Sequence, residues 1–481
     1  MMIIDSIEFR SRPEKTNSHR WVARYLAMQM QMQMQTPAIR ASPTTGSRRP
    51  LFGLKGRRRR ESGRRERGGT TPGATNPNEE TVQLSLSLVD SIESIGKEAW
   101  DACAGTSNPL NGFTFLDALE RSKSACVTSG WAPQHLAVKV EGGATVAVAP
   151  LYLKGHPYGE FVFDSQFGAF WEDNLPDRPY YPKLISAVPF TPCTCSKLLV
   201  NAVELASTGM SEQELVAAVV NTIGTLPRRM GISSVHVNFI PDDEVELFAE
   251  RGFIKRANLQ YHWTNEEYAS FDNFLAGLKQ RRRKTIRQER KRVNGSLDVR
   301  RLTGDRLKSP ALWDRFYEYY ENTIDAYYSQ AYLTRDFFDR ISETMADNIL
   351  LVAAYESSTD PDDVPIAAAL NFVGEDCLYG RNWGCRADVD FGGLHMELCY
   401  YQAIEFAIER SLARVEAGAQ GEETKLPRGY LPTPTYSAHV FDQIDVSAAI
   451  NNYCRREEAA LLQRRDMLLG EANPFKRTIR L

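Results

Sequence analysis

Alternating apolar and polar positions mark strands at Gln134-His-Leu-Ala-Val-Lys-Val and at Ala144 to Leu153, and the Gly142-Gly143 between them signals a hairpin. A helix over Phe113 to Ser122 is predicted before the hairpin and a third strand over Gly159-Glu-Phe-Val-Phe-Asp after it. Helical spacing returns over Glu212 to Leu226, followed by an apolar strand Ser233 to Phe239 and a helix Pro241 to Arg251 closed by Gly252. The same order then recurs. Helices are predicted from Pro310, capped by Ser309, and from Arg335, capped by Thr334. Strands follow over Ile349 to Tyr355, Pro365 to Val373 and Cys377 to Trp383, then a helix Leu394 to Glu409 and a strand Ala413 to Ala417. Each half reads α, β-hairpin, β, α, β, so the expected fold is α/β, a mixed unit present twice, over residues 81–260 and 261–481 with the boundary near 257–270.

Between the halves, Asp272 to Val293 is predicted as one amphipathic helix, with Leu275, Leu278, Ile286 and Val293 near one face and Asn294-Gly295 as its stop. Lys279, Arg281, Arg282, Arg283, Lys284, Arg287, Arg290, Lys291 and Arg292 cover the rest, with Glu289 alone opposing them. Such a concentration implies either an anionic ligand or RNA backbone, or pairing with acidic residues of the body.

Charge changes the picture at the N-terminus. Residues 1–78 hold 16 Lys+Arg against 5 Asp+Glu, leaving 42 against 56 in the remainder. This Arg-rich, Ser/Thr-containing stretch has no core-forming period, so residues 1–80 are expected to be a disordered targeting extension, of plastid or mitochondrial type, with a nuclear-localisation or RNA-binding arm as the alternative. A plastid is the expected location, with mitochondrion or cytoplasm as alternatives. No apolar run approaches the roughly 20 residues of a membrane span. Eight Cys show neither CxxC pairs nor metal-ligand spacing, so reduced thiols and no metal site are expected. Cys193-Thr-Cys195 hints at redox chemistry but has no Cys or His beside it in sequence.

Several strings resemble one family: Asn108-Pro-Leu, Pro150-Leu-Tyr-Leu-Lys, Tyr180-Tyr-Pro-Lys-Leu, Ala187-Val-Pro-Phe-Thr-Pro, Gly380-Arg-Asn-Trp-Gly-Cys, the run from Leu394 to Glu405, and Pro434-Thr-Tyr-Ser-Ala-His. From about residue 85 onward the chain resembles the FemAB-like peptidoglycan biosynthesis/recognition proteins, predicted N-acyltransferases of the GNAT superfamily. The resemblance implies two tandem GNAT-like domains. It also implies transfer of an acyl or aminoacyl group, from acyl-CoA or aminoacyl-tRNA as co-substrate, to a small-molecule or peptide amine, with no tightly bound cofactor.

Aminolysis of an activated acyl group needs a proton acceptor and donors for the oxyanion and leaving group. The resemblance implies that two parallel strands part to admit the acyl group, by position Cys377–Trp383 and Ala413–Ala417. Polar residues at their ends are therefore the candidates. Glu416 is the leading general base, or the partner of Arg381; Glu397 is the alternative base, or a buried acceptor. His395 and His439 are either site imidazoles or packing and capping groups. Tyr379 and Tyr436 are candidate proton donors, or core. Arg381 and Trp383 share a strand face, Gln420 follows the second strand, and Lys425 and Arg428 are placed to meet phosphate or carboxylate or to be solvated. Arg282, Arg283 and Arg287 are the donor-binding candidates of the basic helix. The acyl-CoA pyrophosphate loop is not clearly present, and Phe391-Gly392-Gly393 is its weak substitute. In the first half, His156, Glu160, Asp164, Tyr180 and Lys183 are expected to line the cleft between halves. A non-catalytic glycan- or peptide-recognition module and an RNA-associated protein are the competing functions, and the sequence is silent on oligomeric state.

Overall fold

The computed structural model describes residues 38–40, 83–140, 143–326, 330–356, 364–419 and 421–476. Residues 1–80, expected to be a targeting extension, therefore lie outside the described residues, apart from strand β1 (Ala38–Arg40). In the first half the strands are β2 (Gln83–Val89), β3 (Trp131–Pro133), β4 (His135–Val140), β5 (Thr145–Ala149), β6 (Leu151–Lys154), β7 (Lys183–Ser186), β8 (Leu199–Val200), β9 (Ser234–Ile240) and β10 (Ile254–Thr264). The second half contributes β11 (Leu297–Leu302), β12 (Ile349–Glu356), β13 (Ala367–Val373), β14 (Cys377–Cys385), β15 (Arg414–Glu416) and β16 (Leu431–Phe441).

These form a five-stranded sheet, β1-β2-β4-β5-β8, and an eleven-stranded mixed sheet, β11-β12-β13-β14-β15-β10-β16-β9-β7-β6-β3. The duplication read from the periodicity is visible in the pairing. Each half contains one parallel pair, β7 with β9 and β14 with β15. The halves then exchange their next strands: β10 pairs with β15 of the second half, and β16 with β9 of the first. The interval proposed as a boundary is thus crossed by β10, a strand of the shared sheet.

Helices cover both faces. The first half contributes α1 (Lys97–Ala104), α2 (Phe113–Arg121), α3 (Ser165–Asn174), α4 (Ala202–Ala206), α5 (Glu212–Met230) and α6 (Asp242–Ala249). The second contributes α7 (Phe271–Gly277), α8 (Gln280–Asn294), α9 (Pro310–Ala326), α10 (Arg335–Thr344), α11, α12 (Glu422–Lys425) and α13 (Ile444–Glu471). Helix α11 runs through Leu394–Met396, a π-helical turn Glu397–Tyr401, and Gln402–Glu409. One apolar core joins α1, α2, α9 and α10 to the sheet, a second joins α7, α8 and α11, and a third lies under α5 and the small sheet. Among the described residues no helix is long and apolar enough to cross a membrane.

Three expectations need correction. The strand predicted over Ala144 to Leu153 is two strands in different sheets, parted at Pro150, which has no N–H to give a ladder. Gly159 to Asp164 is not a strand: Gly159 and Phe161 both adopt positive φ (83° and 56°), and the strand lies at Lys183–Ser186 instead. The helix predicted over Asp272 to Val293 is broken. Leu278 and Lys279 turn extended because the C-terminal segment claims their backbone, Lys279 N donating to Pro474 O at 2.8 Å and Lys476 N to Gly277 O at 2.9 Å.

Candidate functional site

Strands β14 and β15 pair over only three rungs, Cys377 with Arg414, Leu378 with Val415 and Tyr379 with Glu416. Beyond Glu416 the second strand ends while β14 continues to Cys385, so the two part. A cavity of about 80 Å³ opens there, lined by Asn371, Gly380, Arg381, Asn382, Trp383, His395, Cys399, Tyr400 and Ala417. A gap between parallel strands exposes N–H and C=O groups without ladder partners, so it suits a ligand that carries amides of its own.

Glu416 is buried at the last rung, facing Tyr379 on one side and His262 on the other. Its Oε2 accepts from Thr194 N at 3.3 Å, and its Oε1 lies 3.2 Å from Arg414 Nε. The ion-pair partner is therefore Arg414 rather than Arg381. Arg381 instead donates to Phe190 O at 2.5 Å, and burial pulls its guanidinium down to about 10, against the influence of Cys193 and Glu416. Its remaining N–H groups border the cavity. Tyr379 is buried in the first core, and burial pushes its hydroxyl well above the usual phenol range.

The opposite wall comes from α11. His395 packs between Trp383 and Tyr400, with ring centroids 5.0 and 5.4 Å away. Burial, then Arg428 and Lys425, lower its imidazole to about 4, so it is neutral at physiological pH. Lys425 is buried and donates to Gly418 O at 2.8 Å. Burial, with a smaller push from Arg381, pulls its ammonium down to about 7. It is half-neutral at pH 7 and so is not the dependable phosphate anchor its sequence position suggested.

Several candidates serve other contacts. Glu397 is fully buried beneath α8, with Arg290 Nε 3.2 Å from both its oxygens and Gln402 Nε2 at 2.7 Å, and it does not line the cavity. Arg428 pairs with Glu289 at 2.8 Å and donates to the Tyr401 hydroxyl at 2.8 Å, clamping α8 onto α11. His439 lies on β16 far along the sheet from His395, its Nδ1 2.6 Å from His236 Nδ1 and its Nε2 2.8 Å from Ser437 Oγ. Tyr436 lies under the Lys255 ammonium, outside the cavity. Gln420 lies outside the described residues. The first-half cluster does assemble: Lys183 binds Glu160 at 2.7 Å and also Asp164, and Tyr180 donates to Asp164 at 2.6 Å. All four are buried, so they form a sealed network and not an open cleft wall.

Helix α8 divides its cations. Arg290 is tied to Glu397 and Glu405, and Arg287 has one exposed partner, Asp272, at 3.2 Å. Arg282 and Arg283 have no ion pair among the described residues, as is true of Lys279, Arg281, Lys284 and Lys291. At the C-terminal end of α8, Arg292 closes on the Gly392-Gly393 loop before α11: a Cβ added at Gly392 would stand 2.9 Å from its Nη1. The weak glycine loop and the basic helix are thus one surface.

Asn371, Cys399, Tyr400, Arg414 and Thr194 belong to the site although the sequence reading did not select them. For two of them a signal existed, since His395 and Cys399, and likewise Met396 and Tyr400, are four apart on one helix. Thr194 reaches Glu416 across 222 positions, and no local pattern announces it.

A mixed α/β unit occurs twice, with a parallel strand pair in each half and a cavity where one pair parts. The family model of FemAB-like proteins, described as peptidoglycan biosynthesis/recognition, matches residues 91–477, and the chain belongs to that family. Similar solved structures include FemX, at 10% identity over 75% of this chain and 98% of that one, with a TM-score of 0.45. The C-terminal domain of a putative lysylphosphatidylglycerol synthetase from Agrobacterium fabrum shares 11% identity over 75% of this chain and 96% of that one, with a TM-score of 0.45. A tandem GNAT protein from the clavulanic acid biosynthesis pathway shares 12% over 74% and 98%, with a TM-score of 0.37. No curated protein matches the sequence.

Proposed function

We propose that this protein is an N-acyltransferase that passes an acyl or aminoacyl group from an activated donor to an amine, in the gap between β14 and β15. The carrying observation is a carboxylate, Glu416, held on the last rung before the strands part; it is not itself a lining residue, but its chain neighbour Ala417 and its cross-strand neighbours Gly380 and Arg381 line the cavity. The neutral amine attacks the acyl carbonyl and Glu416 takes its proton. Arg381, half-buried and with one carbonyl partner among the described residues, donates to the oxyanion as charge develops. Tyr400, on the facing wall, donates to the leaving group.

The donor is anionic, an acyl-CoA or an aminoacyl-tRNA, and two features support this. The cations of α8 that have no ion pair among the described residues recur along the helix, and Arg292 near its C-terminal end stands at the glycine loop that precedes α11. Residues 1–80 are proposed as a plastid targeting extension on their composition. The test of the transferase reading is a panel of acyl-CoAs and charged tRNAs offered with amine acceptors to wild-type protein and to Glu416→Gln. Transfer by the wild type that falls by about 10²–10⁴ in the variant supports it. Full activity in the variant removes Glu416 from the role, and donor binding without transfer favours the recognition module.

A further inference from the structure

The segment that touches Glu416 carries chemistry the transfer does not use. In Cys193-Thr194-Cys195 the two sulfurs lie 3.9 Å apart. The Lys197 ammonium stands 3.2 Å from Cys195 Sγ, and its other contacts are two carbonyls, Cys195 O at 2.7 Å and Phe239 O at 2.8 Å. Lys197 is buried and has no carboxylate ion pair among the described residues. A buried ammonium requires a counter-charge; Cys195 Sγ is in direct contact with it, and the Glu244 carboxylate acts on it from further off. The two thiols are unequal as a result. The hydrogen bond from Cys193, supplemented by Lys197 and opposed by burial, pulls the Cys195 thiol down to about 6, while the same bond and burial push Cys193 up. Cys195 is half-buried and Cys193 buried, so Cys195 is the more accessible of the two residues.

We propose that Cys193 and Cys195 form a redox-active dithiol whose disulfide withdraws the Thr194 N–H from Glu416 and so lowers transfer. The oxidant is hydrogen peroxide. The Cys195 thiolate attacks one peroxide oxygen, the O–O bond breaks, and Cys195 becomes a sulfenic acid as hydroxide departs and takes up the proton that the Cys195 thiol had released to solvent, leaving as water. Cys193 sulfur then attacks Cys195 sulfur; the S–S bond forms, the S–O bond breaks, and the leaving hydroxide takes the Cys193 proton. Two thiols and one peroxide give one disulfide and two waters, and an external dithiol reverses the step.

The coupling to Glu416 follows from the backbone. Bonding contracts the sulfur separation from 3.9 Å to about 2.0 Å. Cys195 is pinned, its N donating to Phe239 O at 3.1 Å and its carbonyl held by Lys197. Cys193 is held as well, its N donating to Thr191 O at 2.9 Å, so the contraction falls on Thr194 between the two anchors, and Thr194 N is the donor to Glu416 Oε2. The functional consequence rests on the transferase reading of Glu416; the disulfide itself does not.

The full chain is treated with hydrogen peroxide, and the peptide holding both cysteines is weighed intact. A loss of two hydrogen masses, restored by dithiothreitol, is expected, with oxidation slowed at least about tenfold in Lys197→Gln as the thiolate is lost. Thr194 amide exchange should quicken at least about tenfold in the oxidised protein, and transfer should fall and recover with reduction. Cys193→Ser/Cys195→Ser should keep transfer and lose peroxide sensitivity. Independent oxidation of each sulfur to sulfinic acid overturns the dithiol. A disulfide that leaves Thr194 exchange unchanged overturns the coupling, whether or not any donor supports transfer.

Discussion

Lys425→Met should stabilise this protein at neutral pH, and the gain should vanish in alkali. The Lys425 ammonium is 2% exposed and is held by one carbonyl, Gly418 O at 2.8 Å. Burial, followed by Arg381, lowers it from 10.5 to about 7, against a smaller opposing influence from Cys399. At about 1.4 kcal/mol per pKa unit, that interval corresponds to on the order of 5 kcal/mol. Below about pH 7 both folded and unfolded chains hold the proton, and the folded state carries the whole cost. Between about pH 7 and 10.5 the unfolded chain binds the proton and the folded one does not, so stability rises with pH across that window. Methionine keeps the apolar stem without the charge. It leaves Gly418 O without its donor, which costs about 1 kcal/mol.

The net expectation is a gain on the order of 4 kcal/mol near pH 6, shrinking above pH 7 and becoming a loss of about 1 kcal/mol near pH 10.5. Reversible urea unfolding followed by tryptophan fluorescence at about pH 6, 8 and 10 measures it. A wild-type-to-variant difference that is constant across those conditions would refute the reasoning, because it would mean that the ammonium stays charged in the folded protein. The outcome also bears on the donor. A lysine neutral at pH 8 cannot anchor phosphate, and that task then falls to Arg292 and the free cations of α8.

Arg290→Met should cost about 3–5 kcal/mol in urea unfolding, because it leaves the fully buried Glu397 without its cation. Reversing Arg282, Arg283 and Arg287 to Glu should change stability by no more than about 1 kcal/mol, since the only ion pair lost is the exposed one between Arg287 and Asp272. In the same triple variant, tRNA or acyl-CoA binding should weaken and its salt dependence become shallower; unchanged binding would detach α8 from the donor. A fluorescent reporter behind residues 1–80 should enter plastids, and a diffuse cytosolic signal would count against the targeting extension.

The parts of the fold legible in the sequence are those where burial is local and one-sided. Strands β12 to β14 are apolar runs between turns, and α5 announces itself with a Ser211–Glu214 capping box and ends at left-handed Gly231. Strand β16 was not read, because Pro432 and Pro434 argue against a central strand. The structure resolves the conflict: β9 pairs only with Tyr436 to Phe441, so the prolines sit on a stretch bonded to β10 alone, where one side needs no N–H. Helix α13 escaped for the opposite reason, since of its 28 residues only Val446, Ile450 and Cys454 are buried and no apolar stripe marks it. The site divides in the same way. Strand ends put Arg381 and Trp383 at the cavity and Glu416 on the last rung before it, because strand placement along β14 and β15 is a local rule. That Glu416 answers to Thr194 depends on what the first half lays against the second, while Arg428 serving Glu289 and Lys425 being sealed depend on how helices pack within the second half. The exchange of β10 and β16 joins the two halves into the sheet across which Thr194 meets Glu416, and a contact made across 222 positions leaves no period in either segment that makes it.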